Sequence, residues 1–133
     1  MGVEITEVEK RDSALEKSKR KQLVEQFNEI KVYMGVVQIK NNRNNKIFIN
    51  SYPNLKNKWF MLQMQLNSGL FVDRQLQLDW IEHGAEAFSF EILEQKDTEK
   101  VADIRWETKQ MLKRWLEQLQ PYDERGYNKP LKN

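Results

Sequence analysis

One stretch, Met34 to Ser51, restricts the folds open to this chain more than any other: it reads MGVVQIKNNRNNKIFINS. Val36, Val37, Ile39, Ile47, Phe48 and Ile49 are strand formers, and Asn41 to Asn45 supplies residues that tolerate a tight turn, so the stretch is predicted to be a β-hairpin. The same region carries an uneven charge. From Lys31 to Val72 there is no Asp or Glu, whereas Lys31, Lys40, Arg43, Lys46, Lys56 and Lys58 are basic. A net charge of +2 identifies no partner, but this distribution predicts a local positive potential that attracts phosphates.

The flanking segments read mainly as helices. Before the hairpin, Leu23, Phe27 and Ile30 recur at helical spacing, which predicts a charged helix from about Ser13 that docks by its C-terminal half. Its Lys17, Lys19, Arg20 and Lys21 are interleaved with Glu16 and Glu25, as on a solvated face. After the hairpin, Tyr52-Pro53-Asn54 signals a turn with Asn54 as a helix cap. Leu55, Trp59, Leu62 and Leu66 then mark the core face of a helix ending near Ser68-Gly69. Asp73 is the predicted cap of the next helix, which carries Leu76, Trp80 and Ile81, stops at Gly84 and has His83 in its last turn. Phe88 to Leu93 alternates like a half-buried strand that pairs with the hairpin. A long helix is predicted from Thr98, with Val101, Ile104, Thr108, Met111, Leu112, Trp115 and Leu119 along one side, until Pro121 ends it and a turn-rich tail follows.

Helices segregated onto a small three-stranded antiparallel sheet make the expected class α+β. The expected division is a helical extension over residues 1–30, one domain over 31–128 and a short tail over 129–133. A chain of 133 residues suits one such domain. No apolar run reaches the ~20 residues of a membrane span, so a cytoplasmic protein without membrane contact is expected. Zero cysteines exclude thiolate chemistry and cysteine-based zinc sites, and the single His83 excludes a multi-histidine centre.

Taken together, MGVVQIKNNRNNKIFINS, NLKNKW, WIEHGAEAFSFEILE and RWLEQLQPYDERGYN resemble the GIY-YIG nuclease family over about Tyr33 to Asn128. The resemblance implies metal-dependent cleavage of phosphodiester bonds. It also implies a tyrosine in each hairpin strand, an arginine on the next helix, a histidine or tyrosine one turn further, a metal-binding glutamate on a later helix, and an asparagine near the end. The motif-equivalent positions here are Val37, Phe48, Lys58, Leu62, Leu112 and Asn128, of which only Asn128 matches. Val37 and Phe48 lack the hydroxyls, Lys58 lacks the two-pronged grip of a guanidinium, and Leu112 has no carboxylate.

The sequence therefore predicts a catalytically degenerate nuclease-like domain that binds the backbone of DNA or RNA through Lys40, Arg43, Lys46, Lys56 and Lys58, with no metal and no cofactor. Two other readings remain at this point. One is a protein-interaction or structural module, with a protein partner or a second copy on the patch that Val37, Leu62 and Leu112 make apolar. The other is an active endonuclease using Mg²⁺ or another divalent metal held by Glu91, Glu94, Asp123 or Glu124.

Overall fold

The computed structural model describes residues 31–130, and the expected helix from Ser13 lies outside them. Strand β1 (Tyr33–Asn41) and strand β2 (Ile47–Tyr52) form the hairpin, in a register that sets Lys40 opposite Ile47 and Gly35 opposite Tyr52. The asparagines of the turn act through their side chains. Asn41 Oδ1 accepts from Arg43 N at 2.9 Å, Asn44 Oδ1 accepts from Lys46 N at 2.9 Å, and Asn45 adopts a left-handed φ of 64°.

Strand β3 (Phe88–Asp97) pairs antiparallel with β1, giving the sheet order β2-β1-β3. It runs four residues beyond the expected Leu93, because Glu94, Gln95, Lys96 and Asp97 pair with the start of β1 through their backbones. An edge strand needs no apolar alternation for that. A register shift between Val36 and Val37 marks a bulge. Gly35 lies where β1 and β3 press together, and a Cβ there would run into the Glu94 carbonyl oxygen and a Leu55 methyl.

Helix α1 (Lys58–Ser68) starts later than expected. Asn54 is not its cap: Asn54 Oδ1 closes a local turn onto Lys56 N at 3.0 Å, and Asn57, at φ 54°, occupies the cap position without a side-chain bond. Gly69, at φ 81°, ends the helix as expected. Helix α2 (Arg74–His83) is capped by Asp73, whose Oδ1 accepts from Leu76 N at 2.9 Å. Helix α3 (Ile104–Leu119) is capped by Asp103 rather than opened by Thr98. The Thr98 hydroxyl instead donates to Val32 O at 2.9 Å and ties the end of β3 to the beginning of β1. Val101 therefore precedes the helix.

Two apolar layers sandwich the sheet. Val37, Ile39 and Phe48 pack with Leu55, Leu62 and Leu66 around α1, with Leu76 and Trp80 of α2, and with Phe71, Phe88 and Tyr127. Met34, Val36 and Ile49 pack on the other side with Met111 and Leu116 of α3. Alternation along the strands sends neighbouring residues to opposite layers. Trp59 completes the first layer, stacked on Phe90 at 5.0 Å and edge-on to Trp80 at 6.1 Å.

The segment after Pro121 is not a loose tail. Pro121, Gly126 and Tyr127 are buried, and Gly126 bridges in parallel to Ile47, so this segment covers the outer edge of β2.

Candidate nucleic-acid interface

Five of the six motif-equivalent residues divide among three environments. Val37, Phe48 and Leu62 enter one buried apolar layer, where Phe48 also meets Phe71 edge-on at 5.4 Å. Leu112 is half-buried against the layer on the opposite face of the sheet. Lys58 reaches the surface with its ammonium 4.3 Å from the centre of the Tyr52 ring, a cation–π contact.

Asn128 does structural work. Its side-chain amide donates to Ile49 O at 2.8 Å, and its Oδ1 accepts from Ile49 N at 2.9 Å, so it satisfies both backbone groups on the free edge of β2.

One hydroxyl does lie near the motif positions. Tyr52 shares a strand face with Phe48 and Asn50, and its OH accepts a long hydrogen bond from Asn50 Nδ2 at 3.4 Å. Burial pushes the Tyr52 phenol above its ordinary value, with the Asn50 hydrogen bond pulling partly the other way, so it keeps its proton at neutral pH. Sequence spacing misses Tyr52 because it lies four residues past the motif position.

A second polar centre links distant segments. Tyr127 OH donates to the buried Asp79 Oδ2 at 2.7 Å and accepts from Asn41 Nδ2 at 3.0 Å, while Gln75 Nε2 donates to Asp79 Oδ1 at 3.2 Å. Burial first, then the Asp79 carboxylate, pushes the Tyr127 phenol up to about 12.

The expected basic residues do not form one cluster. Lys40, Arg43 and Lys46 gather at the turn, with the Lys46 ammonium 5.6 Å from the Tyr127 ring centre. Lys56 and Lys58 lie at the other end of the hairpin, where Leu55 N donates to Tyr33 O at 2.8 Å. The five residue steps from Gly35 to Lys40 separate the two groups by about 17 Å. Between them, a cleft of about 380 Å³ opens beside the middle of β2, lined by Phe48, Ile49, Asn50, Val72, Asp73, Arg74, Asn128 and Lys129. Arg74 and Lys129 were not among the expected binding residues. They stand 55 positions apart, and only the fold brings them to one cleft.

A divalent metal, which the family resemblance implies, does not fit the motif-equivalent positions. Val37, Leu62 and Leu112 end in hydrocarbon, Lys58 is a cation, and the Asn128 amide is occupied by Ile49. Glu94 is engaged elsewhere, accepting from Trp115 Nε1 at 2.8 Å and lying 3.7 Å from Arg114. Among the described residues, Asp79, Glu82 and His83 on α2 form the one group of three ligand-type side chains close enough to share an ion. Both Asp79 oxygens in that group already accept hydrogen bonds, from Tyr127 and Gln75.

The three-stranded antiparallel sheet with its flanking helices is a GIY-YIG nuclease-like fold. Among solved structures, the chain is similar to the catalytic domain of the homing endonuclease I-TevI, at 28% identity and a TM-score of 0.55 over 71% of this chain and 96% of that one. A mutant form of the catalytic domain of the intron endonuclease I-TevI matches at 28% identity and a TM-score of 0.56, over 72% of this chain and 92% of that one. No family model matches the chain, and no curated protein does.

Proposed function

We propose that this nuclease-like domain binds the phosphate backbone of nucleic acid without hydrolysing it. The observation that carries the reading is the burial of Val37, Phe48 and Leu62 in one apolar layer, at 1%, 7% and 3% exposure. Hydrolysis on this frame needs a group to orient water and a carboxylate to hold a metal. Hydrocarbon occupies those positions, and a packed layer leaves no room for water beside them. What remains is a segment free of acids from Lys31 to Val72, with cations at both ends of the hairpin. The likeness to an endonuclease catalytic domain makes DNA the first polymer to test.

The experiment has two arms. Plasmid incubated with pure protein and Mg²⁺ or Mn²⁺ should stay supercoiled, and labelled duplex should bind with an affinity that falls steeply with salt. Nicking that disappears in Lys58→Ala would overturn the loss of hydrolysis. No binding at low salt would overturn the nucleic-acid reading.

A second reading, as a protein-interaction module, draws on exposed apolar side chains on and between the first two helices. Phe60 and Met64 stand one turn apart on α1, Leu70 is exposed between the helices, and Ile81 is exposed on α2. Light scattering separates it from the first: a dimer whose interface is lost in Phe60→Ser would favour it.

A further inference from the structure

The geometry points to Arg74 and Lys129, not the motif lysine, as the residues that grip a backbone phosphate, in the cleft beside Phe48. This inference rests on the nucleic-acid reading above and specifies where the anion sits.

Three observations support it. First, the charge at the motif position is already engaged. The Lys58 ammonium lies 4.3 Å from the Tyr52 ring centre, so turning it toward a ligand forfeits that contact.

Second, Arg74 and Lys129 enter the cleft wall from different elements, the first residue of α2 and the residue after Asn128. Both side chains are exposed, and neither has a hydrogen bond or ion pair among the described residues. Cations held apart from partners in one concavity are free to take an external anion. The guanidinium adds a planar fork that suits two phosphate oxygens.

Third, the floor is rigid and largely apolar. Phe48 is packed in the core, and Asn128 is fixed to the Ile49 backbone by two hydrogen bonds. Low-dielectric walls strengthen the attraction between the two cations and a phosphate compared with a flat surface. Asp73 opposes this charge, but its Oδ1 accepts from Leu76 N in capping α2, and the two cations outnumber it.

The cleft lies along the middle of β2, between the cations of the turn and Lys56 at the other end of the hairpin. A polymer following β2 therefore passes Lys46 and Arg43, then Arg74 and Lys129, then Lys56. That sequence of contacts favours a backbone with regularly repeated phosphates over an isolated ion.

The test is fluorescence anisotropy of the full chain with labelled duplex DNA and labelled single strand, each titrated across salt. Two variants of equal charge change are compared: Arg74→Gln with Lys129→Gln, and Lys109→Gln with Lys113→Gln on α3, which covers the other face of the sheet. The cleft variant should weaken binding about tenfold and lower the salt slope by about one to two, while the α3 variant stays near wild type. Circular dichroism melting checks that both fold. Inorganic phosphate at millimolar concentration should not displace the strand; displacement would identify a free-anion site and overturn the polymer assignment. Equal losses in the two variants, or none in the cleft variant, would overturn the localised grip and leave backbone binding standing. Absence of wild-type binding at low salt would overturn both.

Discussion

The two ends of the motif frame sit in different surroundings. In the hairpin and α1, Val37, Phe48 and Leu62 lie in the apolar core. At the C-terminal end, Gly126-Tyr127-Asn128 has kept polar chemistry, and each of its residues braces the fold. Gly126 lets the chain pass against β2, Tyr127 ties Asn41 to Asp79, and Asn128 closes the edge at Ile49. A position whose polar group serves only a reaction can be hydrocarbon without cost to the fold. A position whose polar group also satisfies the backbone cannot change so freely, because an unpaired amide or carbonyl costs about 1–3 kcal/mol. Asn128 is thus weak evidence for retained chemistry, although it matches the family pattern.

The sharpest way to break this comparison is at Gly126. A Cβ there would overlap the carbonyl oxygens of Pro121 and Ile47, both backbone atoms that cannot swing aside. Gly126→Ala should cost about 3 kcal/mol or more, read from urea unfolding. A near-neutral result would mean that the C-terminal segment is not bound to β2 as described.

Asn128→Ala and Tyr127→Phe follow. Removing the Asn128 amide leaves the N–H and C=O of Ile49 without their protein partner, a loss of about 2 kcal/mol. Tyr127→Phe removes the donor to Asp79 and the acceptor for Asn41, with a cost of about 1–3 kcal/mol. Tyr127 also makes a pH prediction. Its folded pKa of about 12 lies above the ordinary 10.0, so the folded state holds the proton more tightly than the unfolded state. Its contribution is complete below pH 10 and falls as pH rises from 10 toward 12. Denaturation midpoints across that window should decline in the wild type and decline less in Tyr127→Phe.

The frame was legible where local chemistry and tertiary need agree. The asparagine turn, the Leu62 and Leu66 face, the Asp73 cap and the Gly69 stop are all set by residues within a few positions of the effect. Boundaries were lost where a polar side chain had two roles open to it. Asn54 and Thr98 are both plausible caps, but one closes its own turn and the other bonds to Val32. The family resemblance implied the motif positions but not their surroundings: it grouped Leu112 with Val37 in one patch, whereas the two pack on opposite faces of the sheet. The Tyr127–Asp79 link and the Arg74–Lys129 cleft join residues 48 and 55 positions apart, distances over which no periodicity operates. An arginine directly after the Asp73 cap was the one local signal for the cleft.

Val37→Thr tests the hydrocarbon end more gently. Threonine keeps the branched shape and adds a hydroxyl, and at a position 1% exposed that hydroxyl has no water to bond. The expected cost is about 1–2 kcal/mol in urea unfolding. A neutral or stabilising result would mean that solvent reaches the position, and the view of a dry apolar layer there would fail.

The smallest expected effect is at Lys58, where the two ends of the comparison meet. Lys58 is neither core nor brace: it retains a charge at the motif position but points it at the Tyr52 ring. Lys58→Ala should lower stability by only about 0.5–1 kcal/mol, the range of an exposed cation–π contact. Lys58→Met keeps the apolar stem without the charge and separates packing from cation–π attraction. If Tyr52 alone holds the ammonium, Tyr52→Leu should make Lys58→Met neutral, so that the double-mutant cycle closes on a coupling of similar size. A coupling near zero would mean that Lys58 is free to turn outward, and the motif lysine would return as a candidate for gripping phosphate.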